Sequence, residues 1–182
     1  MATALLSVAG PQSFTVTATD SNAVATSSTV DYSVIAARPT IGKLTQAAAR
    51  WLERRGAGSR LPLGTAFAFS LDQPASVTLR FTRLVGGRLA AGHCVAAARA
   101  PAHARRCVRT INAGSVTLAN APSGADRLPF TGRTSLGLLA PGAYSVQVVA
   151  TGLSGQPSAS VSLRFTVAKP PRRSAAHRAT AR

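Results

Sequence analysis

One structural sentence is written twice in this chain. Gly10–Val34 reads GPQSFTVTATDSNAVATSSTVDYSV, and Pro141–Val167 reads PGAYSVQVVATGLSGQPSASVSLRFTV. Each runs from a Pro/Gly turn into a strand led by an aromatic residue, then through a polar turn after Ala-Thr into a second alternating strand. The apolar positions of the first copy are Phe14, Val16 and Ala18, then Val30, Tyr32 and Val34. Those of the second are Tyr144, Val146, Val148 and Ala150, then Val161, Leu163, Phe165 and Val167. Because successive side chains of a strand point to opposite faces, strict period-2 alternation predicts antiparallel strands with one buried and one wet face. The second copy closes a domain built by the residues before it. The first has almost nothing ahead of it and reads as the closing hairpin of a truncated upstream unit. The expected class is therefore all-β, a piece of a modular array.

The rest of the chain fits that class. It is 182 residues long and 46% hydrophobic, enough for one ordinary core plus fragments. Charged residues make up only 14%, against roughly 25% in average proteins, and Ser and Thr supply the polar surface instead. The charges present are lopsided, 21 basic against 5 acidic for a formal net charge of +16. Lys43 and Lys169 are the only lysines. Abundant alanine beside arginine points to a high-GC genome, which raises arginine content without functional demand, but a field of this sign still attracts polyanions at low salt. Met1–Leu6 lacks the positive n-region and long apolar run of a signal peptide. The uncharged stretch between Arg133 and Arg164 is broken by Pro141-Gly142, Ser154-Gly155 and Gln156-Pro157 and has period 2, so no membrane span is expected.

Three parts follow from the punctuation: residues 1–36 as the hairpin of the truncated unit, 37–168 as a β-sandwich, and 169–182 as a disordered basic tail. Ile35–Pro39 is the expected linker. Within the body, Ile41 and Leu44 suggest a short first strand. Thr65–Leu71 and Ser76–Leu84 alternate cleanly around an Asp72–Ala75 turn, with Arg80 and Thr82 outward. Gly86-Gly87 marks another turn, with a strand from Leu89 to about Val95. Val108–Ile111, Val116–Leu118 and Leu128–Phe130 read as further short strands. Thr45–Arg55 is compatible with a turn or two of helix, capped by Thr45 and stopped by Gly56, or with an irregular loop; Trp51 is expected over an open end of the sandwich. Phe67, Phe69, Val77, Leu79, Phe81, Leu128, Phe130, Tyr144, Val146, Val148, Leu163 and Phe165 are the expected core.

The Leu-Leu-Ala-Pro-Gly-Ala-Tyr stretch at 138–144 resembles the tyrosine corner of fibronectin type III and related immunoglobulin-like modules. There the phenol bonds back to nearby backbone. Gly10–Val34 resembles the closing hairpin of bacterial Ig-like surface repeats, with Ala23 where glycine is common in the turn. From Pro39 to Ala168 the chain is similar to repeated extracellular modules of high-GC actinobacteria, which share the GTxFxFxLxxPAxVTLxFTR run found here at Gly64–Arg83. The resemblance implies an Ig/fibronectin type III-like fold and an extracellular or cell-surface setting. It implies no particular ligand, because fold analogy does not fix function.

Cys94 and Cys107 flank an arginine-rich loop at predicted strand ends, and the simplest account is a disulfide, which implies an oxidising compartment. The alternative is a zinc site with His93 and His103, opposed because His93 and Cys94 are adjacent and point to opposite strand faces. Arg99, Arg105, Arg106 and Arg109 form either a solvated hairpin tip or a contact for a polyanion such as cell-surface polysaccharide. No aromatic residue interleaves them and no nucleic-acid motif is present, so specific nucleic-acid binding is not expected. Asp20 and Asn22 offer oxygen ligands to calcium, but Asp-Ser-Asn ordinarily forms a turn that bonds its own backbone. The five acids are solitary, and no nucleophile, His and acid converge in any motif, so catalysis is not expected. The resulting expectation is a monomeric, non-catalytic structural or adhesive module of a secreted or surface protein, without cofactor or metal. Its expected partners are neighbouring modules of the same protein. The alternative is a carbohydrate- or polyanion-binding module acting through residues 99–109.

Overall fold

The computed structural model describes residues 10–35, 37–55 and 59–171. The expectations placed on the Met1–Leu6 start, on Gly56 and on tail residues 172–182 lie outside the described residues. Among those described there are thirteen strands and no α-helix, and no helix is long and apolar enough to cross a membrane.

β1 (Gly10–Thr19) and β2 (Ala25–Val34) pair antiparallel as a sheet of their own. The Asp20 carboxylate closes their turn by accepting from the N–H groups of Asn22 (2.8 Å) and Val24 (2.9 Å). Ala23 takes the left-handed conformation that glycine usually fills, at φ +61°. This is the self-bonding turn expected of Asp-Ser-Asn.

The body is two sheets face to face. The smaller joins β3 (Ile41–Gln46), β5 (Thr65–Leu71) and β9 (Gly124–Phe130) in the order β3-β5-β9. The larger joins β4 (Arg50–Leu52), β6 (Ala75–Ala90), β7 (His93–Val95), β8 (Arg106–Ala121), β12 (Gly142–Gly152) and β13 (Val161–Ala168). Its order is β4-β13-β12-β6-β7, with β8 on the other edge of β6. It is mixed, because β4 runs parallel to β13. A two-residue ladder joins β10 (Arg133–Thr134) to β11 (Gly137–Leu138).

Alternation places the core as the sequence suggests. Phe67 and Phe130 of the smaller sheet meet Phe81 and Phe165 of the larger, with Phe81 and Phe130 stacked at 4.6 Å between ring centroids. Of the twelve expected core residues only Leu128 and Leu163 are partly rather than fully buried.

Three expectations need correction. Thr45–Arg55 holds no helix: Arg50–Leu52 is a strand on β13, tied by Thr166 N–H donating to Ala49 O at 2.8 Å. Its helix-favouring composition loses to tertiary packing, because Trp51 is fully buried in the core, stacked on Phe165 at 5.7 Å and edge-on to Phe130. Gly86-Gly87 is not a turn. Both lie inside the single strand β6, and the chain reverses later at Ala91-Gly92. Finally, Val108–Ile111 and Val116–Leu118 belong to one strand, β8, interrupted by a bulge rather than a loop.

Candidate functional site

The long arms of β6 and β8 carry the disulfide-bounded loop. Arg88 pairs with Val95 of β7 and with Arg106 of β8, so those two strands lie along its two edges. In a flat sheet two such strands stand about 9.6 Å apart, yet Cys94 and Cys107 are disulfide-bonded with their Cα atoms 5.9 Å apart. The tip is therefore rolled over β6, and the residue beneath the bridge is Gly87. A Cβ there would stand 2.5 Å from Val95 O and 2.9 Å from Cys94 Sγ. Gly87 is required by this close approach, not by a turn. Among the described residues no cluster of three or more His, Cys, Asp or Glu side chains could hold a metal, and both cysteines are committed to the disulfide.

The four loop arginines do not form one surface. Arg99 ends a single 3-10 turn and is exposed, as is Arg105. Arg106 stands directly opposite Arg88, and this like-charge pair is eased by Arg88 Nη1 donating to Ala104 O at 2.8 Å. Arg109, an odd number of residues further along β8, points to the opposite face, and its buried Nε has no hydrogen-bond partner.

Where β12 begins beside the middle of β6, the Tyr144 hydroxyl donates to Ala140 O at 2.7 Å, the back-bond that the 138–144 stretch leads one to expect. Arg83, its cross-strand partner, donates from Nη2 to Pro141 O at 2.8 Å. Burial raises the Tyr144 pKa above the ordinary phenol value, and the nearby Arg83 charge works against that rise. These two bonds fasten the turn that starts β12.

Three of the five carboxylates accept from backbone N–H groups. Asp20 closes the hairpin turn, and Asp72 accepts from Thr40 N–H at 2.8 Å, the bond that holds its pKa below the usual carboxylate value. Asp126 accepts from Arg127 N–H at 2.6 Å. Glu53 lies 3.7 Å from Arg54, the one ion pair among the described residues. Asp31 lies on β2 opposite Ser13, and His93 and His103 are exposed on the tip.

The two hairpins make the sharpest contrast in the molecule. In β12–β13, Tyr144 opposes Phe165 and both are buried. In β1–β2, Phe14 opposes Val30 and Gln12 opposes Tyr32, yet Phe14, Val16, Val30 and Tyr32 are between 50 and 61% exposed. The other face of β1–β2 is polar, with hydroxyl pairs Thr15–Thr29 (2.8 Å) and Thr17–Ser27 (2.7 Å). The hairpin is thus as amphipathic as its counterpart, but its apolar face has no layer over it among the described residues.

No protein-family model and no curated protein matches the chain.

What sequence reasoning passed over is the outer face of the larger sheet. Alternation sets Arg80 and Thr82 outward, but their neighbours depend on strand order, which alternation does not contain. Gln147 and Ser115 flank Arg80, and Ser145 and Asn112 flank Thr82.

Proposed function

We propose that this chain is a non-catalytic structural or adhesive module of a secreted or cell-surface protein. In this reading residues 37–168 form an immunoglobulin/fibronectin type III-like sandwich that spaces or presents other parts of the protein. Residues 1–36 are the closing hairpin of a neighbouring module of the same kind. The observation that carries it is the pair of hairpins: both antiparallel, both alternating apolar and polar faces, one covered and one bare. An isolated two-stranded hairpin is marginal in water, so a hairpin with a complete apolar face is suited to a second layer. The disulfide is compatible with an oxidising, extracellular setting. Three of the five carboxylates, Asp20, Asp72 and Asp126, accept from backbone N–H groups, which favours a scaffold over a catalyst.

Deletion of residues 1–36 tests the division. If the hairpin belongs to a neighbour, the shortened chain unfolds cooperatively with its stability changed by less than about 0.5 kcal/mol. A body that no longer folds, or loses several kcal/mol, would show that the hairpin is part of it and would end this reading. Recovery of the protein only from cytosol with both thiols free would end the extracellular part.

A further inference from the structure

The outer face of the six-stranded sheet has a composition that a plain spacer does not need. One row across it reads Ser162, Gln147, Arg80, Ser115, and the next reads Arg164, Ser145, Thr82, Asn112. Arg80, Arg164, Gln147 and Asn112 are exposed, while Phe81, Val146 and Phe165 on the reverse are buried. Further along the same face stand Arg88 and Arg106, and on the edge strand Arg50 opposes Thr166. The acids lie elsewhere: Asp20 and Asp31 in the hairpin, Glu53 after β4, Asp72 in the β5–β6 turn and Asp126 on the smaller sheet. This face therefore carries arginine as its only charge, set among hydroxyls and amides.

It is also shaped. The β6–β8 register shifts between Arg80 and Thr82. There Asn112 Oδ1 accepts from Gly114 N–H at 3.0 Å, and Ser135 Oγ accepts from Ser115 N–H at 3.0 Å. The bulge opens a groove of about 530 Å³ whose polar lining is Arg80, Thr82, Asn112, Ser115, Ser135 and Gln147, with the exposed Leu136 and the buried Phe81 also on its wall. Gly114 makes it possible: its φ of +91° suits glycine, and a Cβ would stand 2.5 Å from Thr134 Oγ1. Thr134 Oγ1 in turn donates to Ala113 O at 2.8 Å and holds the bulge against β10.

We propose that this groove and the face around it bind an acidic polysaccharide. The guanidinium forks of Arg80 and Arg164 match carboxylate or sulfate groups. Thr82, Asn112 and Gln147 can both donate to and accept from ring hydroxyls. By strand spacing the two arginines stand about 12 Å apart at Cα, so they engage different sugars of one chain. Nucleic acid is the poorer match: Phe81, the one aromatic on the groove's wall, is 1% exposed and stacked on Phe130, and Tyr144 and Phe165 also face the core, which leaves no ring free to stack a base. The site is separate from the hairpin and goes beyond the spacer reading. Of the arginines at 99–109, Arg106 shares this face and Arg109 points to the opposite one, so the contact proposed here is centred on Arg80 and Arg164 rather than on that loop.

A strongly basic protein binds many polyanions weakly, so the test compares equal losses of charge. Affinity for immobilised polygalacturonate and dextran sulfate is measured in 150 mM salt for the full oxidised chain and for three variants. Arg80→Gln/Arg164→Gln removes two charges from the face; Lys43→Gln/Arg127→Gln removes two from the smaller sheet; Gln147→Ala removes none. The first is expected to lose at least about tenfold, the value of one charge-assisted contact. The second should change less than about twofold, and the third should lose several-fold. All these positions are exposed, and melting temperatures should agree within about 2 °C. Tighter binding of one polymer identifies the anionic group preferred. Equal losses in the two charge-matched variants, no binding to either polymer, or tighter binding to single-stranded DNA would overturn the proposal.

Discussion

Gly87→Ala changes one hydrogen to a methyl, yet the rolled tip makes it costly. The new Cβ would meet Val95 O at 2.5 Å and Cys94 Sγ at 2.9 Å. Relief requires β7 to retreat by about 0.9 Å to an ordinary contact near 3.4 Å. β7 cannot do so freely, because three cross-strand pairs and the bond to Cys107 hold it. Overpacking of this kind costs about 2 kcal/mol. The disulfide closes a loop with a sequence separation of 13, which stabilises by about 3 kcal/mol in the chain-entropy account. Because the bridge is one of the two restraints that hold β7 over the methyl, the two effects are not additive. Cys94→Ala/Cys107→Ala should cost about 3 kcal/mol. Adding Gly87→Ala to that background, where the three cross-strand pairs still hold β7, should cost about 1 kcal/mol more, giving a coupling of about 1 kcal/mol. Urea unfolding followed by the fluorescence of Trp51, the single tryptophan and fully buried, reads all four proteins. An equal cost for Gly87→Ala with and without the bridge, or no cost with it, would refute this account of the glycine.

Two further outcomes follow from local geometry. Tyr144→Phe removes the bond to Ala140 O and should cost about 1 kcal/mol in urea unfolding. Because the folded phenol titrates above its unfolded value of 10.0, its contribution is fully present below about pH 10 and is lost as pH rises through the folded value. The parent should therefore lose stability in that alkaline window more steeply than Tyr144→Phe; parallel curves would contradict the assignment. Gly114→Ala places a side chain at φ +91° and against Thr134, and should cost about 2–3 kcal/mol in the same assay. A cost near zero would show that the bulge relaxes without penalty.

Much of the fold is legible in alternation, and the failures are instructive. Phe67, Phe81, Val146 and Phe165 lie in strands whose two faces differ so strongly that only one side can be buried. The Ala-Arg-rich stretch around Trp51 misleads because local propensity is a weak preference, while one tryptophan filling a gap between Phe130 and Phe165 is a strong one. Gly86-Gly87 resembles a turn because glycine serves two physical ends, conformational freedom and close approach. Only the partner strands reveal which one applies. The candidate binding face is legible residue by residue, since Arg80 and Thr82 read as outward, but not as a surface. Which strand lies beside β6 is a long-range fact: β8 and β12 come from distant parts of the chain, and the bulge at Asn112–Ser115 carries no strong local signal. The same limit explains Arg109, whose direction depends on a parity count along a strand longer than expected.

The two hairpins allow a test inside one molecule. They share ladder geometry and amphipathic pattern, and differ in whether an apolar layer covers them. Residue-resolved amide hydrogen exchange on the oxidised full chain should find β12–β13 opening only with the global transition. The amides of β1–β2 should exchange at least about a hundredfold faster. Equal protection of the two hairpins would contradict the account, because it would mean that the exposed face of Phe14, Val16, Val30 and Tyr32 needs no covering layer.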